Sequence, residues 1–338
     1  MTSLGHYPTP VEPIPGLSAP DCALWVKRDD LTHDVYGGNK VRKLEHLLED
    51  ARARGARRLV TVGAVGSHHV LATTYFGSRA GFEVEAVLVP QPGNEHVIEV
   101  LRADLALGLR AFPVGSWGAA PWAILGRIAR GARFITVGGS SAVGSRGYLE
   151  AGRELAAQVR AGQLPEPDVC VVALGSGGTA GGLAAGFAAE GLRTRVVGVC
   201  VSTPPWVLAL TAAHLARACA RATGVRGVRL SMDTRFLGAG YGYRTREGDE
   251  ATALARAHAG LGLDPTYTAK TFACALWFVR ARQAKSVLYW HTLSSAPMAR
   301  LLAGAPTEQE LPSHLRALAL PADLKSEDQE LVRRLPRG

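Results

Sequence analysis

The chain has 338 residues, 47% hydrophobic and 20% charged, with a formal net charge of +9. That length is long for one core and suits two domains of ordinary size, and the composition excludes a disordered chain. No stretch approaches the ~18 apolar residues of a membrane span, and the first residues lack the basic and apolar regions of a signal peptide, so the chain is read as cytoplasmic with no membrane partner. The positive charge lies mostly on arginines spread along helical segments, such as Arg52, Arg54, Arg57 and Arg58. Without a basic run interleaved with aromatics, no nucleic-acid partner is expected. Cys22, Cys170, Cys200, Cys219 and Cys274 are odd in number and never form a CxxC pair, which indicates neither a disulfide framework nor a metal site.

In chain order, ALWVKRDD (23–30) reads as a strand, and 37-GGNKVRKLEHLLED-50 opens a helix near Asn39. Val41, Leu44, Leu47 and Leu48 form its apolar stripe, while Lys40 and Lys43 share a side near its N-terminus. Two cations at that end oppose the helix dipole and cost stability unless a negative partner or a function offsets them. A desolvated lysine beside positive charge has a lowered pKa and can serve covalent chemistry; the alternative is an ordinary solvated helix-start residue. Four strand-helix units follow. The strands are RLVTVG (58–63), EVEAVLVP (83–90), LRAFPV (109–114) and RFITVG (133–138), with helices over 67–80, 94–107, 119–130 and 144–161. The linker AGQLPEPD (161–168) precedes a second alternation: VCVVAL (169–174), a helix over 178–190, TRVVGVCV (194–201), a helix over 205–222, and SVLYW (286–290).

This pattern predicts an α/β protein of two domains, each an open, mostly parallel sheet flanked by helices. The expected division is 1–51 with 161–303 as a large domain and 52–160 as a small one. Residues 304–338 form a C-terminal extension, a surface appendage with one amphipathic piece, SHLRALAL (313–320).

Open parallel sheets bind ligands at the carboxyl ends of their strands, so the glycine-rich turns there are where chemistry is sought. The turn 174-LGSGGTAGG-182 can converge backbone N–H groups on an anion at a helix N-terminus, aided by the hydroxyls of Ser176 and Thr179. It is either a phosphate cradle or a turn that needs glycine for packing. It is not a nucleotide P-loop, and the next strand does not end in the acid a dinucleotide site would want. The turn 63-GAVGSHHVLATT-74 places Ser67 at a helix start, as an anion-binding group or as a simple N-cap. His68 and His69 point in different directions on a helix and cannot ligate one metal together.

Taken together, KRDDLTHDVYGGNKVRKLE (27–45), the Ser-His turn at 66–69, GSGGTAGGL (175–183), GAGYG (238–242), LDPTYTAK (263–270) and YWHT (289–292) resemble a known family. They occur in the order and spacing of the pyridoxal-phosphate enzymes that include 1-aminocyclopropane-1-carboxylate deaminase and D-cysteine desulfhydrase, over nearly all of the chain to about residue 303. The resemblance implies a fold-type-II enzyme of the tryptophan synthase β-like class, a homodimer that binds pyridoxal 5'-phosphate and acts on a small amino acid. By position, Lys40 would carry the cofactor and act as base at the α-carbon, with Asn39 beside it. Lys43 and the loop Gly175, Ser176, Gly177, Gly178 and Thr179 would hold the phosphate. Ser67 would meet the substrate carboxylate or act near its α-carbon, Tyr241 and Tyr267 would flank the reacting atoms, and Thr268 or Thr292 would face the pyridine nitrogen. The implied activity is α,β-elimination to a keto acid and ammonia, with amino-acid racemisation, β-replacement and lost turnover as the alternatives.

Several positions depart from the family. Thr268 stands where the cyclopropane deaminases carry glutamate, which tilts the reading toward the desulfhydrases. Where the family writes Ser-Asn-His the chain has Ser67-His68-His69, so that His68 would take the asparagine's place at the cofactor's phenolic oxygen. Val70, Leu71 and Ala72 replace a polar Thr-Arg-Gln segment, and HTGG becomes 291-HTLSS-295, which loses two glycines.

Overall fold

In the computed structural model, residues 3–202 and 204–320 are described. The chain divides into two compact units, the first formed by 1–46 with 140–296 and the second by 47–139 with 297–338.

The first unit is built on a six-stranded sheet. Its order is Val11–Pro13, Ala23–Arg28, Ser286–His291, Val169–Leu174, Arg195–Cys200 and Leu230–Asp233. Val11–Pro13 runs antiparallel to its neighbour and every other pairing is parallel. Successive side chains on a strand point to opposite faces, and here both faces are covered. Val169, Val171, Val287 and Tyr289 enter a core with Phe272, Cys274 and Phe278 of the helix Thr268–Arg280. Cys170, Val172, Leu288 and Trp290 enter the opposite core, with Tyr148 and Leu155 of the helix Arg146–Arg160 and Leu183 and Phe187 of the helix Gly178–Ala189. The near-continuous apolar runs follow from this, because a parallel sheet buried on both sides has no solvent face to alternate with.

The second unit carries a four-stranded parallel sheet in the order Arg110–Pro113, Glu83–Val89, Arg58–Ala64 and Ala132–Phe134. The helices His68–Arg79, Glu95–Ala106 and Ala120–Ile128 connect its strands.

The division differs from the sequence expectation: residues 47–51 and 297–303, expected in the large domain, fall in the second unit. Residues 140–160, expected in the small domain, fall in the first unit because the helix Arg146–Arg160 lies against Gly178–Ala189 at glycine contacts. A Cβ on Gly152 would meet the Gly186 Cα at 2.8 Å, and one on Gly182 would meet the Ser145 carbonyl oxygen at 2.5 Å. The described part of the C-terminal extension is also no surface appendage. Leu311, Leu315 and Leu318 are buried, and the strand Ala319–Leu320 pairs in parallel with Gln91–Pro92 of the second unit. The rest of the expected extension, residues 321–338, lies outside the described residues.

Candidate active site

The first unit gathers most of the expected site residues at the carboxyl ends of its strands. Gly38 takes φ 94°, and a Cβ there would meet the Thr292 carbonyl oxygen at 2.6 Å, so only glycine lets this turn press against the end of the strand Ser286–His291. The Asn39 N–H donates to that same carbonyl at 3.1 Å, and the helix Asn39–Ala53 starts there. In its first turn, Lys40 Nζ donates to Asn39 Oδ1 at 2.7 Å, while Asn39 Nδ2 donates to Thr179 Oγ1 at 3.3 Å. One turn on, Lys43 Nζ donates to Ser140 Oγ at 3.2 Å.

Ser140 Oγ in turn lies 2.8 Å from Ser176 Oγ and accepts from the Gly178 N–H at 3.0 Å. The loop is glycine for distinct reasons. Gly177, the N-cap of the helix Gly178–Ala189, has φ 89°, whereas a Cβ on Gly175 would meet Tyr267 Cε1 at 2.9 Å and one on Gly178 would meet Ser140 Oγ at 2.6 Å. The Lys43 ammonium, the Ser176 hydroxyl and the first N–H of a helix therefore converge on the Ser140 hydroxyl, a set of donors that suits a phosphate dianion.

The lysines are electrostatically uneasy without such an anion. Burial pulls Lys40 down to about 8, with the charge of Asp264 opposing the shift. Burial first and the charge of Lys40 second push Lys43 well below the usual lysine value. An amine near 8 carries a useful neutral fraction at physiological pH, as a nucleophile and proton acceptor requires.

The two tyrosines come from separate segments. Tyr267 OH donates to Tyr241 OH at 3.0 Å, and their rings meet edge to face at 5.6 Å. Burial raises both phenols above their ordinary value, so both are neutral proton donors near pH 7. Asp264 fixes Tyr267, since its Oδ1 accepts from the Thr266 N–H at 2.9 Å and the Tyr267 N–H at 2.7 Å. Its Oδ2 takes up Thr268, accepting from the backbone N–H at 3.1 Å and the hydroxyl at 2.6 Å. Of the two candidate threonines, Thr268 is thus committed to the start of its helix, whereas the Thr292 hydroxyl makes no hydrogen bond among the described residues.

Ser67 and His68 lie on the second unit. Ser67 Oγ accepts from the His69 N–H at 3.3 Å and caps the helix His68–Arg79. His68 Nε2 sits 2.9 Å from His96 Nε2, and His69 Nε2 sits 2.8 Å from Thr61 Oγ1. Val70, Leu71 and Ala72 are core residues. In the HTLSS loop the serines take over structural work. Ser294 Oγ accepts from the Gly37 N–H at 2.9 Å, Ser295 Oγ donates to Asp30 Oδ2, and neither residue has a positive φ. The two missing glycines are therefore not required by the backbone here.

Sequence reasoning missed Ser140, Asp264 and Lys270. Ser140 follows the strand RFITVG in a glycine-rich turn, 138-GGSS-141, a signal that the assignment to the small domain hid. Asp264 stands before Pro265 ahead of a helix, a familiar capping signature.

A two-unit α/β protein with a pKa-lowered lysine one helical turn from an anion cradle has the form of a pyridoxal-phosphate enzyme. Residues 2–292 match the family described as pyridoxal-phosphate dependent enzymes, and the chain belongs to that family. Among its relatives, a putative 1-aminocyclopropane-1-carboxylate deaminase of Pyrococcus furiosus is 35% identical over 297 residues, covering 85% of this chain and 89% of that protein. A D-cysteine desulfhydrase of Salmonella paratyphi A is 35% identical over 294 residues, covering 79% and 84%. A solved structure described as an ACC deaminase homologue superposes with TM-score 0.76 at 29% identity, over 89% of this chain and 94% of that one. A pyridoxal 5'-phosphate-dependent aspartate racemase, at TM-score 0.62 and 16% identity over 87% and 92%, shares the fold.

The residues present fit this cofactor. Its phosphate would supply the negative charge that the lowered pKa of Lys43 calls for, at a place where Lys43, Ser176 and the Gly178 N–H meet the Ser140 hydroxyl. Its aldehyde suits the amine of Lys40.

Proposed function

We propose that this enzyme is a lyase or deaminase that carries out α,β-elimination on a small amino acid and releases a keto acid and ammonia, as the name D-cysteine desulfhydrase describes for its Salmonella relative. The observation that carries the reading is the pairing, within one unit, of Lys40 at about 8 with the cradle of Lys43, Ser140, Ser176 and the loop from Gly175 to Thr179. Bound pyridoxal phosphate supplies an electron sink for the carbon that carries the substrate amine.

The chain's own residues supply position and protons. Lys43 and the glycine loop hold the phosphate, and Asn39 orients the Lys40 amine through its side-chain oxygen. Lys40, whose amine is lowered to about 8, would take the α-proton. Tyr267 and Tyr241, neutral and joined by a hydrogen bond, give a proton to the β-substituent as it leaves with its bonding electrons. Water then releases the nitrogen as ammonia. Thr292, whose hydroxyl is uncommitted, would face the pyridine nitrogen as a neutral partner in preference to Thr268, which is bonded to Asp264. The resemblance gives Ser67 the substrate carboxylate and His68 the cofactor's phenolic oxygen. It also implies a cytoplasmic homodimer.

The test is to incubate purified enzyme with D-cysteine, L-cysteine, β-chloroalanine, serine and 1-aminocyclopropane-1-carboxylate, and to assay ammonia and keto acid while following substrate chirality. Release from D-cysteine, L-cysteine, β-chloroalanine or serine is expected; release from the cyclopropane amino acid alone, which has neither an α-proton nor a β-leaving group, would contradict the elimination step. Inversion of chirality without ammonia, or no turnover of any compound, overturns the proposal.

A further inference from the structure

Lys270 is completely buried, yet it lies in the helix Thr268–Arg280 that starts at the active site and is given no part in the chemistry above. Its Nζ donates to the Leu237 carbonyl at 2.9 Å and to the Gly240 carbonyl at 2.7 Å. Those carbonyls belong to the turn that delivers Tyr241. The residues on either side of that tyrosine are Gly240 and Gly242, with φ of 115° and 84°, so no neighbouring side chain stiffens the segment. The turn has one backbone hydrogen bond of its own here, from the Gly240 N–H to the Leu237 carbonyl at 3.2 Å. Tyr241, in turn, meets Tyr267 through one hydroxyl hydrogen bond of 3.0 Å and an edge-to-face ring contact.

The same helix start therefore holds both tyrosines. Asp264 takes the backbone N–H of Tyr267, and two residues inside the helix Lys270 takes both ends of the turn before Tyr241. An ammonium suits this task because a compact cation with three donors can bridge two carbonyls at once. Burial depresses its pKa, the charge of Asp264 works against that shift, and the two carbonyl oxygens stabilise the protonated form further.

We infer that Lys270 is a positioning residue that clamps the Leu237–Gly240 turn and so sets the Tyr241 hydroxyl against Tyr267. This rests on the reading of Tyr241 and Tyr267 as groups that flank the reacting atoms, and it extends that reading to a lysine that never touches the substrate.

The experiment compares wild type, Lys270→Met, Lys270→Arg, Tyr241→Phe and the Lys270→Met/Tyr241→Phe double variant. Hydrogen exchange of segment 237–243 is measured on cofactor-free protein, and kcat and KM on loaded enzyme. Lys270→Met, which fills the same space without a donor, is expected to exchange faster over 237–243 and to lose about a hundredfold in kcat, as a reacting group displaced by about 1 Å does, with KM little changed. In the Tyr241→Phe background the same substitution is expected to cost almost nothing further, since coupled groups are non-additive, and Lys270→Arg recovers part of the loss. Unchanged exchange, an unchanged kcat, or an equal loss with and without the Tyr241 hydroxyl overturns the inference. If Lys270→Met does not fold, Lys270→Gln, a shorter donor, is judged by the same three outcomes. If wild type itself turns over no amino acid, the reading of the tyrosines fails, while faster exchange in the variant still upholds the clamp and unchanged exchange still removes it.

Discussion

Replacing Lys40 by methionine is expected to stabilise the cofactor-free protein while destroying its function. Burial takes this amine from its ordinary 10.5 to about 8, a drop of about 2.5, and at about 1.36 kcal/mol for each pKa unit the charged form costs the fold about 3 kcal/mol. Because the folded pKa is the lower one, the unfolded chain binds the proton more tightly. The cost is therefore fully present below pH about 8, shrinks as pH rises from there toward 10.5, and is gone above it. Urea unfolding of the cofactor-free proteins reads this directly. Lys40→Met is expected to gain about 3 kcal/mol at pH ~7 and much less at pH ~10, with an unchanged denaturant slope. A variant no more stable than wild type at pH ~7, or one whose gain is the same at both pH values, refutes the claim that Lys40 is held in an environment hostile to its charge.

Four further substitutions have expected outcomes. Lys43→Met removes the ammonium that donates to Ser140 and is expected to weaken pyridoxal phosphate binding by about 1.5–3 kcal/mol, roughly ten- to a hundredfold, in equilibrium titrations of cofactor-free protein. Thr292→Val is expected to lower kcat with little change in unfolding midpoint, whereas Thr268→Val leaves the Asp264 carboxylate short of a 2.6 Å donor and costs about 1–3 kcal/mol in stability by the same urea assay. Asp29, completely buried, accepts from Arg42 Nη2 at 2.8 Å, Tyr148 OH at 2.7 Å and Trp290 Nε1 at 2.6 Å. Burial, the largest single effect, would raise its pKa, but the charges of Arg42 and Lys27 and the hydrogen bonds from Arg42 and Trp290 together outweigh it and leave it lowered, so its contribution is present above the ordinary 3.8 and lost as pH falls through the folded value. Asp29→Asn breaks that pair and is expected to lose about 3–5 kcal/mol at neutral pH.

The parallel sheets were legible in the sequence because their strands are buried on both faces and read as apolar runs between glycine turns. The lysine was legible because two cations at a helix N-terminus conflict with the dipole. The division of the chain was harder to see. The helix Arg146–Arg160 follows the fourth strand of the second unit in sequence, and its attachment to Gly178–Ala189 depends on Gly152, Gly182 and Gly186, whose common role appears only when two helices touch. The same distance in sequence hid Ser140, which joins the proposed phosphate cradle from 97 residues beyond Lys43 and 36 before Ser176. Leu311, Leu315 and Leu318 looked like a surface piece because a short apolar pattern does not announce which strand it will cover. The histidine turn remained ambiguous in sequence for another reason: Ser67 was equally consistent with a cap and with an anion site, and its cap bond to the His69 N–H is compatible with the hydroxyl still donating elsewhere.

Whether Lys40 carries the cofactor is read by reducing the purified wild-type protein with borohydride in the presence of pyridoxal phosphate and locating the adduct by mass spectrometry of its peptides. One stoichiometric adduct is expected, on Lys40, and absent from Lys40→Ala. An adduct on Lys27, Lys43 or Lys270 instead, or a stoichiometric adduct that persists in Lys40→Ala, would contradict it.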